Sequence, residues 1–286
     1  MINEVLGSLG GDLWCSAKMV ALWPWPAVVV GKHRQRFTWD DYRVFTRLLK
    51  PGDFLLCRAD QFLPQNRAIP GAFKHLAVYT GPCQVGGRDA ATGFILKARP
   101  MRDETVPWSR TVTHAIKEGV VVQDLGEVLF HYDYVCAVRA TENDTKRRGI
   151  VAAALDAVGM AYNFAFRPTS QPQFYCTELG LHCMNAVGLT GPQKTRIMTA
   201  WWGGTSMVPL ADAFVKTLPM VCCSTACSAP AFMRQGRDDE VRQKIVRARD
   251  ACMAELSGDP LRGEEHDGRI SGSRGTPSSQ VYSGGR

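Results

Sequence analysis

Between Asp53 and Arg139 the apolar residues come in short runs, each closed by turn formers, and from Thr145 onward they recur at helical spacing. A chain that changes period once, strands first and helices after, is an α+β protein whose sheet is built before most of its helices arrive. The strands read as Asp53–Arg58, His75–Thr80, Thr111–Ile116, Val120–Val122 and Tyr134–Arg139. Gly81-Pro82 is expected to end the second, and Lys117-Glu118-Gly119 to make a hairpin of the third and fourth. Connections this short suit an antiparallel sheet or small barrel. Thr38 reads as the N-cap of a preceding helix with Tyr42, Phe45, Leu48 and Leu49 on one face, stopped by Pro51-Gly52.

On the helical side, Ile150, Val151, Ala154, Leu155 and Val158 share a face that Gly159 closes. A second helix opens after the turn-rich Arg167–Pro172 loop, with Leu179, Cys183, Ala186 and Val187 as its apolar positions and Gly188 as its end. Cys176 starts that helix. Unpaired amides and the helix dipole favour an anion there, so a thiol is expected to ionise more easily than elsewhere, and thiolate is the nucleophilic form. Against this, Cys176 is one of ten cysteines, and a free cysteine is ordinarily a small core hydrophobe.

A nucleophilic thiol needs a base, and the base needs a third polar group to set its ring. Six histidines are available. His33 lies in a basic arm, His266 in a Gly/Ser-rich tail and His131 in a turn with Asp133, while His182 is rotated away from Cys176 on the same helix and faces solvent. His75 and His114 remain, each on a strand and each with apolar neighbours on its own face. His75 shares its face with Ala77 and Tyr79, and His114 with Val112 and Ile116.

The 286 residues carry a net charge of +7 with 45% hydrophobic and 21% charged residues, which fits an ordinary globular protein with a mild, scattered basic excess. The basic residues form no stripe with interleaved aromatics, so specific nucleic-acid binding is not expected. No basic region precedes an apolar stretch at Met1-Ile2-Asn3-Glu4, so the reading is a cytoplasmic protein without a signal peptide, its cysteines reduced. The apolar stretch Met19–Val30 is broken by Pro24 and Pro26 and is too short to span a bilayer. It is expected to be buried, or to rest Trp23 and Trp25 on a membrane as a peripheral contact. Cys222-Cys223-x3-Cys227 lacks a nearby histidine and is not expected to bind zinc; no metal or cofactor is expected anywhere.

Five blocks in order resemble a known family: Lys50-Pro51-Gly52-Asp53-Phe54-Leu55-Leu56, His75-Leu76-Ala77-Val78-Tyr79-Thr80-Gly81, His114-Ala115-Ile116-Lys117-Glu118-Gly119-Val120, Ala161-Tyr162-Asn163-Phe164 and Phe174-Tyr175-Cys176-Thr177-Glu178-Leu179. They are similar to the circularly permuted papain-like cysteine amidases and peptidases of the NlpC-type superfamily, in the YiiX-like branch related to the lecithin:retinol acyltransferases. Met207–Asp212 is similar to the block that closes such domains.

The resemblance implies a permuted papain-like fold with Cys176 as nucleophile, His75 as general base and acid, and His114 as the orienting residue. Many relatives carry a carboxylate or amide where this chain has His114, as the acyltransferase relatives do not, and Glu118 is the fallback for that role. The Cys176 amide would supply part of an oxyanion hole, and Tyr175, Tyr79, Tyr162 and Glu118 are oxyanion or substrate contacts to look for. The implied reaction is cysteine-dependent hydrolysis of an amide in a peptide-like substrate such as a murein stem peptide, which without an export signal requires a virus-encoded or other non-standard route. The alternatives are a deacylase, thioesterase or acyltransferase on lipidated substrates, favoured by His114 and the Trp23/Trp25 arm, and a non-catalytic interaction protein.

Domains are expected as an arm over 1–35, the catalytic domain over 36–215, a cysteine-rich segment and helix over 216–256, and a disordered tail over 257–286 that is free to bind a protein partner.

Overall fold

The computed structural model describes residues 35–60, 71–85, 94–95, 98–100, 109–164, 166, 172–199, 204–229, 232 and 239–257. Trp23, Trp25, His33, His266, the arm and the tail lie outside them. The chain enters through α1 (Trp39–Leu48), whose start is a reciprocal cap: Thr38 Oγ1 accepts from the Asp41 amide, and the Asp41 carboxylate accepts from the Thr38 amide at 2.9 Å. Strand β1 (Phe54–Arg58) then pairs antiparallel with β2 (His75–Val85), and β3 (Ala98–Pro100) joins the far end of β2.

β2 runs past its expected end because Gly81 makes a bulge. The β2 register against β4 (Ser109–Ile116) shifts between Tyr79 and Gly81, and Gly81 sits at φ +82°. A Cβ there would lie 2.5 Å from the Pro51 ring, so glycine is what lets the strand bend past the end of α1 and continue.

β4 turns through Lys117-Glu118 into β5 (Gly119–Asp124), as the turn chemistry predicts. Asp124 then caps α2 (Leu125–His131), a seven-residue helix where a turn was expected. β6 (Tyr134–Val138) pairs with β1. Next come α3 (Asp144–Asp156), the parallel two-residue strands β7 (Ala161–Tyr162) and β8 (Gln173–Phe174), and α4 (Cys176–Ala186). An antiparallel pair with no forecast in the periodicity follows, β9 (Lys194–Thr199) and β10 (Gly204–Pro209), then α5 (Ala211–Thr217). β11 (Met220–Cys223), a 3-10 turn at Thr225–Ser228 and α6 (Asp239–Ser257) complete the described chain.

The main sheet has seven strands in the order β11-β6-β1-β2-β4-β5, with β3 on β2, all antiparallel. Alternation along each strand feeds two cores. Leu56, Leu76, Val78, Cys136 and Val138 pack with α3, α4, α5 and α6. Leu55, Cys57, Ala77, Tyr79, Val112 and Val135 face α1 and α2. Because β11 pairs with β6 and α6 packs on β11, the 216–256 segment completes the edge of this sheet and buries Val241 and Ile245 in the first core. Its cysteines are packing groups: the Cys136 thiol lies 3.7 Å from Cys227 Sγ, Cys227 donates to the Val135 carbonyl, and Cys223 to that of Ile245.

Candidate active site

Cys176 is the first residue of α4, preceded by Tyr175 as N-cap. Glu178 fixes this start. Its carboxylate accepts from the Tyr175 amide at 3.4 Å and from Asn163 Nδ2 at 3.1 Å, tying α4 to the end of β7. Thr177 Oγ1 donates to the Pro209 carbonyl at 2.6 Å, tying it to β10. One turn on, Gly180 lets the helix close on the sheet, since a Cβ there would stand 2.8 Å from Leu76 Cδ2.

The two histidines meet across β2 and β4. Ala77 stands opposite His114, which puts His75 on the adjacent diagonal of the same face, and His75 Nε2 lies 2.9 Å from His114 Nδ1. His114 Nε2 in turn lies 2.7 Å from Gln123 Oε1 on β5. The Tyr132 ring stacks on His75, centroids 5.6 Å apart and planes within 17°.

The β2–β4 register begins only at Ala77, so the two strands part at His75 and Leu76. α4 packs on both strands, and the Leu76 backbone hydrogen-bonds the Cys176 thiol, which puts the sulfur at the residue adjoining His75.

Burial pushes the Cys176 thiol above its ordinary value, and backbone hydrogen bonds from Leu76, Thr177 and Cys176 itself offset only part of that. The expectation of an easily ionised thiol is thereby corrected: the helix start does favour the anion, but a cysteine only 8% exposed loses more to desolvation. Burial also holds His75 well below the ordinary imidazole value, helped by the neighbouring charges of His114 and His131. His114 falls to about 4, again chiefly through burial, against which the Gln123 hydrogen bond acts. In the resting site thiol and imidazoles are therefore all neutral.

Of the other residues singled out, Tyr162 and Tyr175 border the site, both raised by burial and by the nearby Cys176. They belong to an aromatic wall in which Phe164, Tyr162, Phe166 and Tyr175 follow one another at 4.6, 6.5 and 5.0 Å. Tyr79 packs in the core under α1, where Arg110, Tyr42, Cys83 and Asp53 are its charged or ionisable neighbours. Glu118 is exposed in the hairpin turn and pairs with Lys117 at 3.3 Å, while the polar group on the His114 ring is Gln123. His182 is exposed, its ring 4.8 Å from Phe174. Gln123 and Tyr132 carry no motif and were missed. Among the described residues no group of His, Cys, Asp and Glu is arranged to hold a metal ion, and no helix is long and apolar enough to cross a membrane.

A mainly antiparallel sheet flanked by helices, one of them opened by a cysteine, is an architecture compatible with the papain-like cysteine hydrolases. The chain belongs to the permuted papain-like amidase family of the YaeF/YiiX type, whose model matches residues 48–209, more than half of its length. No curated protein and no solved structure matches it.

Proposed function

We propose that the protein is a cysteine amidase in which Cys176 attacks the carbonyl of a peptide-like substrate, His75 moves the proton and His114 orients His75. The observation that carries this reading is the 2.9 Å imidazole pair standing beside the strand residue that hydrogen-bonds the Cys176 thiol. With thiol and imidazole both neutral at rest, His75 takes the thiol proton as sulfur bonds to the carbonyl carbon, so ionisation and attack proceed together. The tetrahedral oxyanion forms at the start of α4, where the Cys176 and Thr177 amides that bond the thiol and the positive end of the helix dipole meet the developing charge. His75 then returns its proton to the departing amine, leaving a thioester on Cys176. Water, deprotonated by His75, hydrolyses the thioester to free acid and restores the thiol.

A second reading, hydrolysis of a fatty acyl amide or ester by the same steps, is favoured by the aromatic wall beside Cys176. Phe164 is 37% exposed there, and Met207 on the adjacent β10 is 52% exposed. Release of free amines from muropeptides, measured against release of fatty acid from acylated amines, separates the two. For the chemistry itself, Cys176→Ala is expected to keep the melting temperature while abolishing turnover and labelling by an electrophilic thiol probe. Turnover that survives this substitution would remove Cys176 from the mechanism.

A further inference from the structure

We infer that Gln123 is a positioning residue that sets the proton on both histidines and so leaves His75 Nδ1 free to act as the base. This inference rests on the roles proposed above for Cys176, His75 and His114. Two contacts decide the protonation of the whole line. The Gln123 oxygen, 2.7 Å from His114 Nε2, can only accept, so that nitrogen carries the proton. Neutral His114 then has a bare Nδ1, which can only accept from His75 Nε2 at 2.9 Å. His75 therefore carries its own proton on Nε2, and its lone pair sits on Nδ1.

The opposite amide orientation has the opposite consequence. A Gln123 NH2 directed at His114 would place the His114 proton on Nδ1, turn that nitrogen into a donor and force His75 to hold its proton on Nδ1. A His75 protonated there cannot take the thiol's proton. The side chain at 123 thus acts at a distance of two rings from the sulfur, through hydrogen bonds alone.

The geometry that permits this is fixed by the hairpin. The two-residue Lys117-Glu118 turn pairs Ile116 with Gly119, which puts Val112 opposite Gln123 and His114 on the neighbouring diagonal. An uncharged partner also suits the site, because a carboxylate at 123 would attract a second proton to His114. Among the described residues, the ionisable groups that act on the pair are His131 from α2, Tyr132, stacked on His75 from the loop after α2, and Cys176 of α4 beside Leu76. None of these supplies a fixed negative charge at neutral pH.

The test combines nitrogen-detected NMR of the imidazoles with the pH dependence of Cys176 alkylation by iodoacetamide, on the full chain. Wild-type protein is expected to show the Nε2–H tautomer for both His75 and His114. Gln123→Met, close in shape but without the oxygen, is expected to mix the tautomers and slow alkylation at neutral pH on the order of tenfold. Gln123→Glu keeps an obligate acceptor, so it is expected to preserve both tautomers while moving the acid limb of the alkylation profile upward in pH. An Nδ1–H tautomer at His75 in the wild type, or a Gln123→Met profile and tautomer pattern identical to wild type, would overturn the inference. Both spectra can be read whether or not Cys176 turns over substrate, so failure here is separable from failure of the amidase reading, which Cys176→Ala decides.

Discussion

Cys176, His75 and His114 differ from their free forms in the same way: each is held uncharged by burial. A preformed thiolate–imidazolium pair would need the thiol lowered and the imidazole raised, and desolvation drives both in the other direction. The expected consequence is that the wild type shows no thiolate ultraviolet absorbance at neutral pH beyond that of Cys176→Ala. Acylation should also slow in heavy water, because a proton moves in the same step as the sulfur. A Cys176-dependent thiolate signal at neutral pH would show that charge separation precedes attack. Tyr132 supports the neutral state by covering one face of the His75 ring. Tyr132→Ala is expected to expose that ring to water, raise its pKa and shift the acid limb of the alkylation profile toward neutral pH; an unmoved limb would reduce Tyr132 to a packing group.

At the scale of elements, the site depends on where β2 and β4 part and on how closely α4 can approach them. Gly81 governs the first. Its bulge resets the register above the histidines, and its φ of +82° together with the 2.5 Å approach to Pro51 leaves no room for a side chain. Gly81→Ala is expected to lower stability by about 2 kcal/mol, combining left-handed strain with overpacking, as read from denaturant midpoints. A variant as stable as wild type would show that the bulge relaxes freely.

These elements also mark what the sequence could disclose. The helix start at Cys176, the Thr38 cap and the Lys117-Glu118 hairpin are local chemistry, and a reader of the residues finds them. The hairpin register even places Gln123 diagonal to His114 once its turn is counted as two residues, but a lone glutamine ending a valine run carries no visible sign of function. The meeting of His75 with His114 is different, because an insertion of more than twenty residues and a bulge separate the two strands, and no local pattern sets that register. Tyr132 escaped for a related reason: α2 is too short to show a helical period, so the chain around His131 reads as a turn.

Across the whole molecule, the buried imidazole of His114 and the half-buried one of His75 couple the site to stability. His114 binds its proton at an ordinary value near 6.5 when unfolded and only at about 4 when folded, and His75 is likewise well below its ordinary value. Both are folded-state depressions, so above pH 6.5 neither state binds the proton and the groups cost nothing. As pH falls below 6.5 the unfolded chain takes up protons that the native site refuses, and stability declines until the folded pKa is reached. For His114 alone the decline between pH 6.5 and about 4 amounts to roughly 3 kcal/mol. Ordinary carboxylate values lie near 4, so the interval from pH 6.5 to 5 gives most weight to the histidines. Melting temperature should fall across that interval in wild-type protein, and His114→Gln, which cannot take up a proton there, should show a shallower fall even if it starts lower at pH 7.5. Parallel curves for the two proteins would mean that the imidazoles are solvated in the native state, and with that the neutral, water-poor site on which concerted proton transfer to His75 depends would be lost.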